Sequence, residues 1–154
     1  LPKLRLTHAG VETMRDLQMS MLDGEGIHVR RLRHVVSENA RVRRAVDAVS
    51  SGDSRALGCI LSEAHQSLRD DYEVSCPQLD LLVELAQSHP ACFGGRMVGG
   101  GFGGGTLNLV ESSQTQDFIQ SVLERYRARV QEVPRSFTFQ LMGGATLSVS
   151  QPLV

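Results

Sequence analysis

The segment Phe93–Gly105, FGGRMVGGGFGGG, limits what this chain can fold into more than any other stretch. Eight of its thirteen residues are glycine, out of 15 in the whole chain. Seven consecutive positions, Gly99–Gly105, carry one side chain, that of Phe102. Glycine gives up more chain entropy on folding than any other residue, and a run of it adds almost nothing to a core. What such a run can offer is backbone: close approach, positive φ, and exposed N–H groups of the kind that cradle phosphate oxygens.

Two phosphate signatures come close without matching. Gly99, Gly101 and Gly104 satisfy G-x-G-x-x-G, but a dinucleotide site needs a helix directly after the loop. Here TLNLVE at 106–111 follows, and it reads as a strand. The Walker pattern requires Lys where this chain has Gly105 ahead of Thr106. The segment is therefore a glycine loop between two strands, Cys92–Val98 and Thr106–Val110. On the bare pattern, phosphate contact and a plain glycine turn or bulge both stay open.

The 154 residues fit one domain, 1–154, large enough for a sizeable core. A net charge of −1 disfavours nucleic acid or an anionic membrane as main partner. There is no apolar run of about 18 residues and no signal-peptide pattern, so the expected location is cytoplasmic. Cys59, Cys76 and Cys92 lack C-x-x-C spacing and are expected as buried free thiols of a reducing compartment. The chain opens at Leu1 rather than Met, and is expected to be a fragment or processed product of a longer protein.

Along the chain, Val11–Leu22 is expected to form a short helix closed by Gly24 and Gly26. Ile27–Ser50 follows as a long helix, with Val29, Leu32, Val35, Val36, Val42, Val46 and Val49 near helical spacing. Arg30, Arg31, Arg33, Arg41, Arg43 and Arg44 mark its other side, read as a solvated face rather than a phosphate or nucleic-acid patch. Gly52 stops this helix and Asp53 caps the next, whose stripe is Leu57, Ile60, Leu61, Ala64 and Leu68. Glu63, His65, Asp70 and Asp71 invite a metal or acid–base reading. Glu63 and His65 are two apart, however, and point in different directions on a helix, so a structural or interdomain role is expected and no metal site.

Ser75–Gln78 has the form of a capping box ahead of Leu79, Leu82, Val83 and Ala86, with His89-Pro90 ending that helix. Ser113–Gln116 repeats the form ahead of Phe118, Ile119, Val122, Leu123, Tyr126 and Val130. Ser136–Met142 and Ala145–Val149 flank Gly143-Gly144, a hairpin signal. Five helices, mostly early, and four strands late give an α+β fold with an antiparallel sheet backed by helices.

Three blocks in order, RLRHVVSENARVRRA at 31–45, LSEAHQSLRDDYEVSCPQLD at 61–80 and GGRMVGGGFGGGT at 94–106, resemble the C-terminal half of galactokinases. These belong to the superfamily of galactose, homoserine, mevalonate and phosphomevalonate kinases. The likeness covers roughly residues 30–112 and implies the ferredoxin-like C-terminal lobe of that superfamily. The glycine block is similar to its third signature, which completes the active site between two lobes. Two positions depart from the family's habit: Val98 where Thr is common, and Gly105 where Cys is common.

The resemblance implies ATP-dependent phosphorylation of the anomeric hydroxyl of galactose. Gly99, Gly100, Gly101, Gly103 and Gly104 would shape the loop and turn N–H groups to the nucleotide phosphates, and Phe102 would anchor it by packing rather than face the cleft. ATP and magnesium would be held mainly by an N-terminal lobe carrying the sugar signature, the ATP loop and the catalytic aspartate. None of these occurs here, so no catalytic residue is assigned and the chain alone is expected to be inactive. Its expected partners are that lobe and a small-molecule sugar, with no nucleic acid or membrane. The alternatives are a non-catalytic sugar- or nucleotide-sensing regulator of the same fold, or a degenerate fragment.

Overall fold

A computed structural model describes residues 11–131 and 134–139. Helix α1 (Ile27–Ser51) ends where Gly52 takes φ 70° and donates its N–H to Val49 and Ala48 carbonyls. Asp53 follows at once, and its carboxylate accepts the Ala56 N–H at 2.9 Å to start α2 (Ser54–Asp70). Two residues thus turn one helix back on the other. Helix α3 (Pro77–Gln87) opens on a proline whose missing N–H costs nothing there. Strands β1 (Cys92–Val98) and β2 (Gly105–Val110) and helix α4 (Thr115–Val130) complete the described elements.

The strands are antiparallel, with Val98 opposite Gly105 beside the connecting loop and Cys92 opposite Val110 at the far end. A bulge falls between Cys92 and Gly94. Helices and an antiparallel pair give the expected α+β class, with α2 and α3 packed on β1. Two apolar clusters hold the layers together. One joins Leu85 and Ala86 of α3 to Phe118, Val122 and Tyr126 of α4. The other joins Leu68 of α2, Leu79 of α3 and Met97 of β1, with Val74 and Cys76 against it, at the loop end of the sheet.

Several expectations need correction. Residues 11–22 are turns with one short 3-10 helix, Met19–Met21, and not an α-helix. Asp16 explains this: its carboxylate accepts from Glu12 N, Thr13 N and Thr13 Oγ1, offering the backbone an alternative to helical bonding. On α1 the buried positions are Leu32, His34, Arg41 and Ala48, while Val42, Val46 and Val49 are 57%, 60% and 59% exposed. The face turned inward runs through 34, 41 and 48, and it is chosen by polar partners as much as by apolar area. Arg41 is buried because Glu38 Oε2 at 2.8 Å and Ser37 Oγ at 2.9 Å take its guanidinium.

Neither capping box forms. The N-cap of α3 is Cys76, and Ser75 Oγ instead donates to Asp80 Oδ1 at 2.5 Å. The N-cap of α4 is Gln114, after a 3-10 turn at Ser112–Gln114. Cys59 is exposed and Cys76 and Cys92 are half-buried, so the three free thiols are not core residues. The described residues hold four α-helices and two strands. The expected second hairpin lies outside the described residues apart from 136–139, which form no strand.

Candidate functional site

The glycine loop connects β1 to β2 as expected, and a strand starts at Gly105 where a dinucleotide fold would start a helix. Its backbone is left-handed at Gly99 (φ 86°), Gly101 (86°), Phe102 (58°), Gly103 (140°) and Gly104 (95°). Gly101 shows why glycine is needed: a Cβ there would stand 2.2 Å from the Val74 carbonyl oxygen. The close approach lets Phe102 N–H donate to that same oxygen at 2.8 Å. The loop is pinned by its backbone. The expected anchoring by the Phe102 ring is wrong: at 77% exposure the ring stands in solvent, because the left-handed turn that presents its N–H inward sends its side chain out.

The N–H groups of Gly99, Gly100, Gly101, Gly103 and Gly104 reach no acceptor among the described residues. A Cβ on Gly99, Gly100 or Gly103 would meet nothing within 4 Å, so a ligand can come up to the main chain there. This open, side-chain-free backbone fits phosphate oxygens. Magnesium is different: among the described residues no three His, Cys, Asp or Glu side chains converge to hold a metal ion.

The seat of the loop is built from the segment after α2. Val74 N–H bonds to the Leu68 carbonyl at 3.1 Å, closing that helix, and its own carbonyl faces the loop. Below it, Met97 N–H donates to His65 Nδ1 at 3.3 Å. That bond places the proton of a neutral ring on Nε2, 3.3 Å from Asp80 Oδ1. The Nε2–Asp80 contact is off-line for a hydrogen bond and acts as electrostatic attraction. Burial holds the His65 pKa below its ordinary value, against the attraction of Asp80. His34 is likewise pushed down by burial; its Nδ1 donates to Ser67 Oγ at 3.0 Å, and Ser67 Oγ donates to Asp71 Oδ2.

The sequence-flagged acidic and histidine residues do not form one cluster. Glu63 pairs with Arg44, Asp70 with Arg69, Asp71 with Arg33 and Ser67, and His65 turns inward to β1. Each of them is engaged by a partner elsewhere in the fold. The basic side of α1 is less solvated than expected, since Arg30 and Arg31 both reach Glu73. Two positions escaped the sequence reading. Val74 acts through its carbonyl, which no side-chain pattern reveals. Gly58, a glycine inside a helix, was a signal that could have been followed.

Residues 43–128 match the family described as GHMP kinases C terminal. The chain belongs to the GHMP kinase family. Within it, the chain is 48% identical over 124 residues to galactokinase of Canis lupus familiaris, an alignment covering 76% of this chain and 31% of that protein. It is 43% identical over 143 residues to galactokinase of Streptomyces coelicolor, covering 88% of this chain and 37% of the relative. Lactococcus lactis galactokinase complexed with galactose has a similar structure, with TM-score 0.75 and 33% identity over 80% of this chain and 33% of that one. The chain spans about a third of the length of these GHMP kinases. Among the described residues no helix is long and apolar enough to cross a membrane.

Proposed function

We propose that this chain is the C-terminal lobe of an ATP-dependent sugar kinase that phosphorylates the anomeric hydroxyl of galactose. The observation that carries the reading is the loop Gly99–Gly104: five amides without an acceptor among the described residues, in a chain 48% identical to a galactokinase. Phosphoryl transfer is achieved by positioning and charge stabilisation, with little covalent work for the protein. In this role Gly99, Gly100, Gly101, Gly103 and Gly104 direct N–H groups to nucleotide phosphate oxygens, and the Val74–Phe102 bond holds them in place. Phe102, exposed at the loop's tip, faces the cleft. The sugar, the metal and the general base belong to the remaining two-thirds of such a kinase.

The test is coupled ADP release with galactose, run on this chain, on the N-terminal lobe of a close relative, and on the mixture. Turnover in the mixture alone is expected, with nucleotide affinity of this chain alone on the order of millimolar or weaker. Turnover by this chain alone, surviving removal of contaminating kinase, would overturn the reading.

A second reading, a non-catalytic sensor built on the same lobe, is favoured by Val98. This valine is 40% exposed at the mouth of the loop, where galactokinases commonly carry a hydroxyl. Val98→Thr in the mixture separates the two: a large gain in turnover from near zero marks the sensor, and a change of less than about threefold, under ~0.7 kcal/mol, marks the kinase.

A further inference from the structure

We propose that Glu73 is the positioning residue of the glycine loop, fixed by a pair of adjacent arginines on α1. The purpose of that positioning rests on the kinase reading above; the positioning itself does not. Glu73 has φ 56°, a left-handed conformation unusual for a non-glycine residue. It directly precedes Val74, whose carbonyl takes the Phe102 N–H, so the turn at Glu73 sets where that carbonyl points. Two ion pairs hold the turn: Arg30 Nη2 to Glu73 Oε1 and Arg31 Nη2 to Glu73 Oε2, each 2.5 Å. The Arg31 hydrogen bond keeps the Glu73 carboxyl below its ordinary pKa.

The rest of the segment is clamped from the same helix. Arg31 Nη1 donates to the Asp71 carbonyl, and its guanidinium lies over the Tyr72 ring, 5.9 Å from the centroid. His34 stacks on the same ring with centroids 4.6 Å apart, and Arg33 comes within 3.8 Å of Asp71. Helix α1 therefore grips residues 71–73, and residue 74 presents the acceptor that the Phe102 N–H uses. Glu73 touches no reacting group in this account; it acts through Val74.

The test reads the Phe102 amide by hydrogen exchange in the 154-residue chain, with the Glu111 amide as reference. Glu111 N–H bonds to the Ala91 carbonyl at 2.9 Å, at the opposite end of the sheet. Glu73→Gln removes the ion pairs, and Glu73→Gly removes them while tolerating the left-handed turn, which keeps the fold. In both, Phe102 exchange should rise roughly fivefold, as expected for the loss of two partly exposed pairs, with Glu111 unchanged. Molar salt should speed the wild-type Phe102 amide and leave the variants alone. Phe102 exchange within twofold of wild type in both variants overturns the proposal. In the reconstituted kinase the variants should lower kcat with KM for galactose unchanged. If the wild-type mixture is itself inactive, the kinase reading fails while accelerated exchange still upholds the positioning.

Discussion

Gly58 of α2 and Gly94 of β1 cross backbone to backbone, so that a Cβ on Gly94 would lie 1.9 Å from the Gly58 carbonyl oxygen. From this crossing the helix runs alongside the strand. Seven helical residues cover about 10.5 Å and three strand residues about 10 Å. That match is what brings His65 level with Met97, whose N–H it accepts. The glycine contact thus sets the spacing of the layer on which the loop's end of β1 rests.

Alanine at either crossing glycine should be strongly destabilising. In a helix interior Gly→Ala ordinarily gains up to about 1 kcal/mol, but a Cβ on Gly58 would stand 2.1 Å from the Phe93 carbonyl oxygen. Gly58→Ala and Gly94→Ala are each expected to cost about 3 kcal/mol. Urea denaturation measures this, and a neutral or stabilising Gly58→Ala contradicts it.

Within the loop, Gly100 and Gly101 should separate ligand contact from folding. Gly100 has no positive φ and open space at its Cβ, so Gly100→Ala should shift stability by less than about 0.5 kcal/mol. Gly101→Ala would put a Cβ 2.2 Å from the Val74 carbonyl oxygen at φ 86° and should cost about 3 kcal/mol, the left-handed strain adding to the clash. In the reconstituted kinase both should lower turnover. Full activity in a stable Gly100→Ala chain would remove the case for phosphate contact at that amide.

Stability should fall in acid in two steps. His34 and His65 both have native pKa values below the 6.5 of the unfolded chain, chiefly through burial. Their neutral forms contribute fully above that value, and the contribution is lost as pH falls below about 6.5, where the unfolded chain binds protons the native state refuses. Facing them are Glu38, Arg41, Asp71 and Arg96 for His34, and Asp80, Arg69 and Arg96 for His65. Burial raises the Glu38 pKa, but hydrogen bonds from Arg41 and Arg96 outweigh it, and Arg44 lowers that of Glu63. Those carboxylates add a second loss below about pH 4.5. Urea midpoints from pH 8 to 4 test both steps; a midpoint unchanged between pH 7.5 and 5.5 refutes the first.

The exposed stripe Val42, Val46 and Val49 should make the isolated chain self-associate. Sedimentation velocity at tens of micromolar is expected to show dimers or larger species, on the order of the affinity such a small patch supports. Val46→Glu should return the chain to monomer with its melting temperature unchanged. A wild-type chain monomeric at that concentration would refute this.

Local chemistry was readable from the chain itself. Gly52 and Asp53 marked the α1–α2 turn, Leu79, Val83 and Ala86 marked part of the buried face of α3 though the fully buried Leu85 was missed, and the glycine run marked a loop between antiparallel strands. Each of these is decided by a residue and its near neighbours, through φ preference, capping or periodicity. The readings that failed needed a distant partner. Whether Val46 or Arg41 faces inward depends on what α2 and β1 set against α1, and Arg41 goes in because Glu38, itself bonded to Arg96 of β1, receives it. Whether Phe102 packs by its ring or by its N–H depends on a carbonyl 28 residues earlier in the chain, at Val74. A backbone acceptor has no signature in a side-chain sequence, so only the tertiary structure could place the loop on its seat.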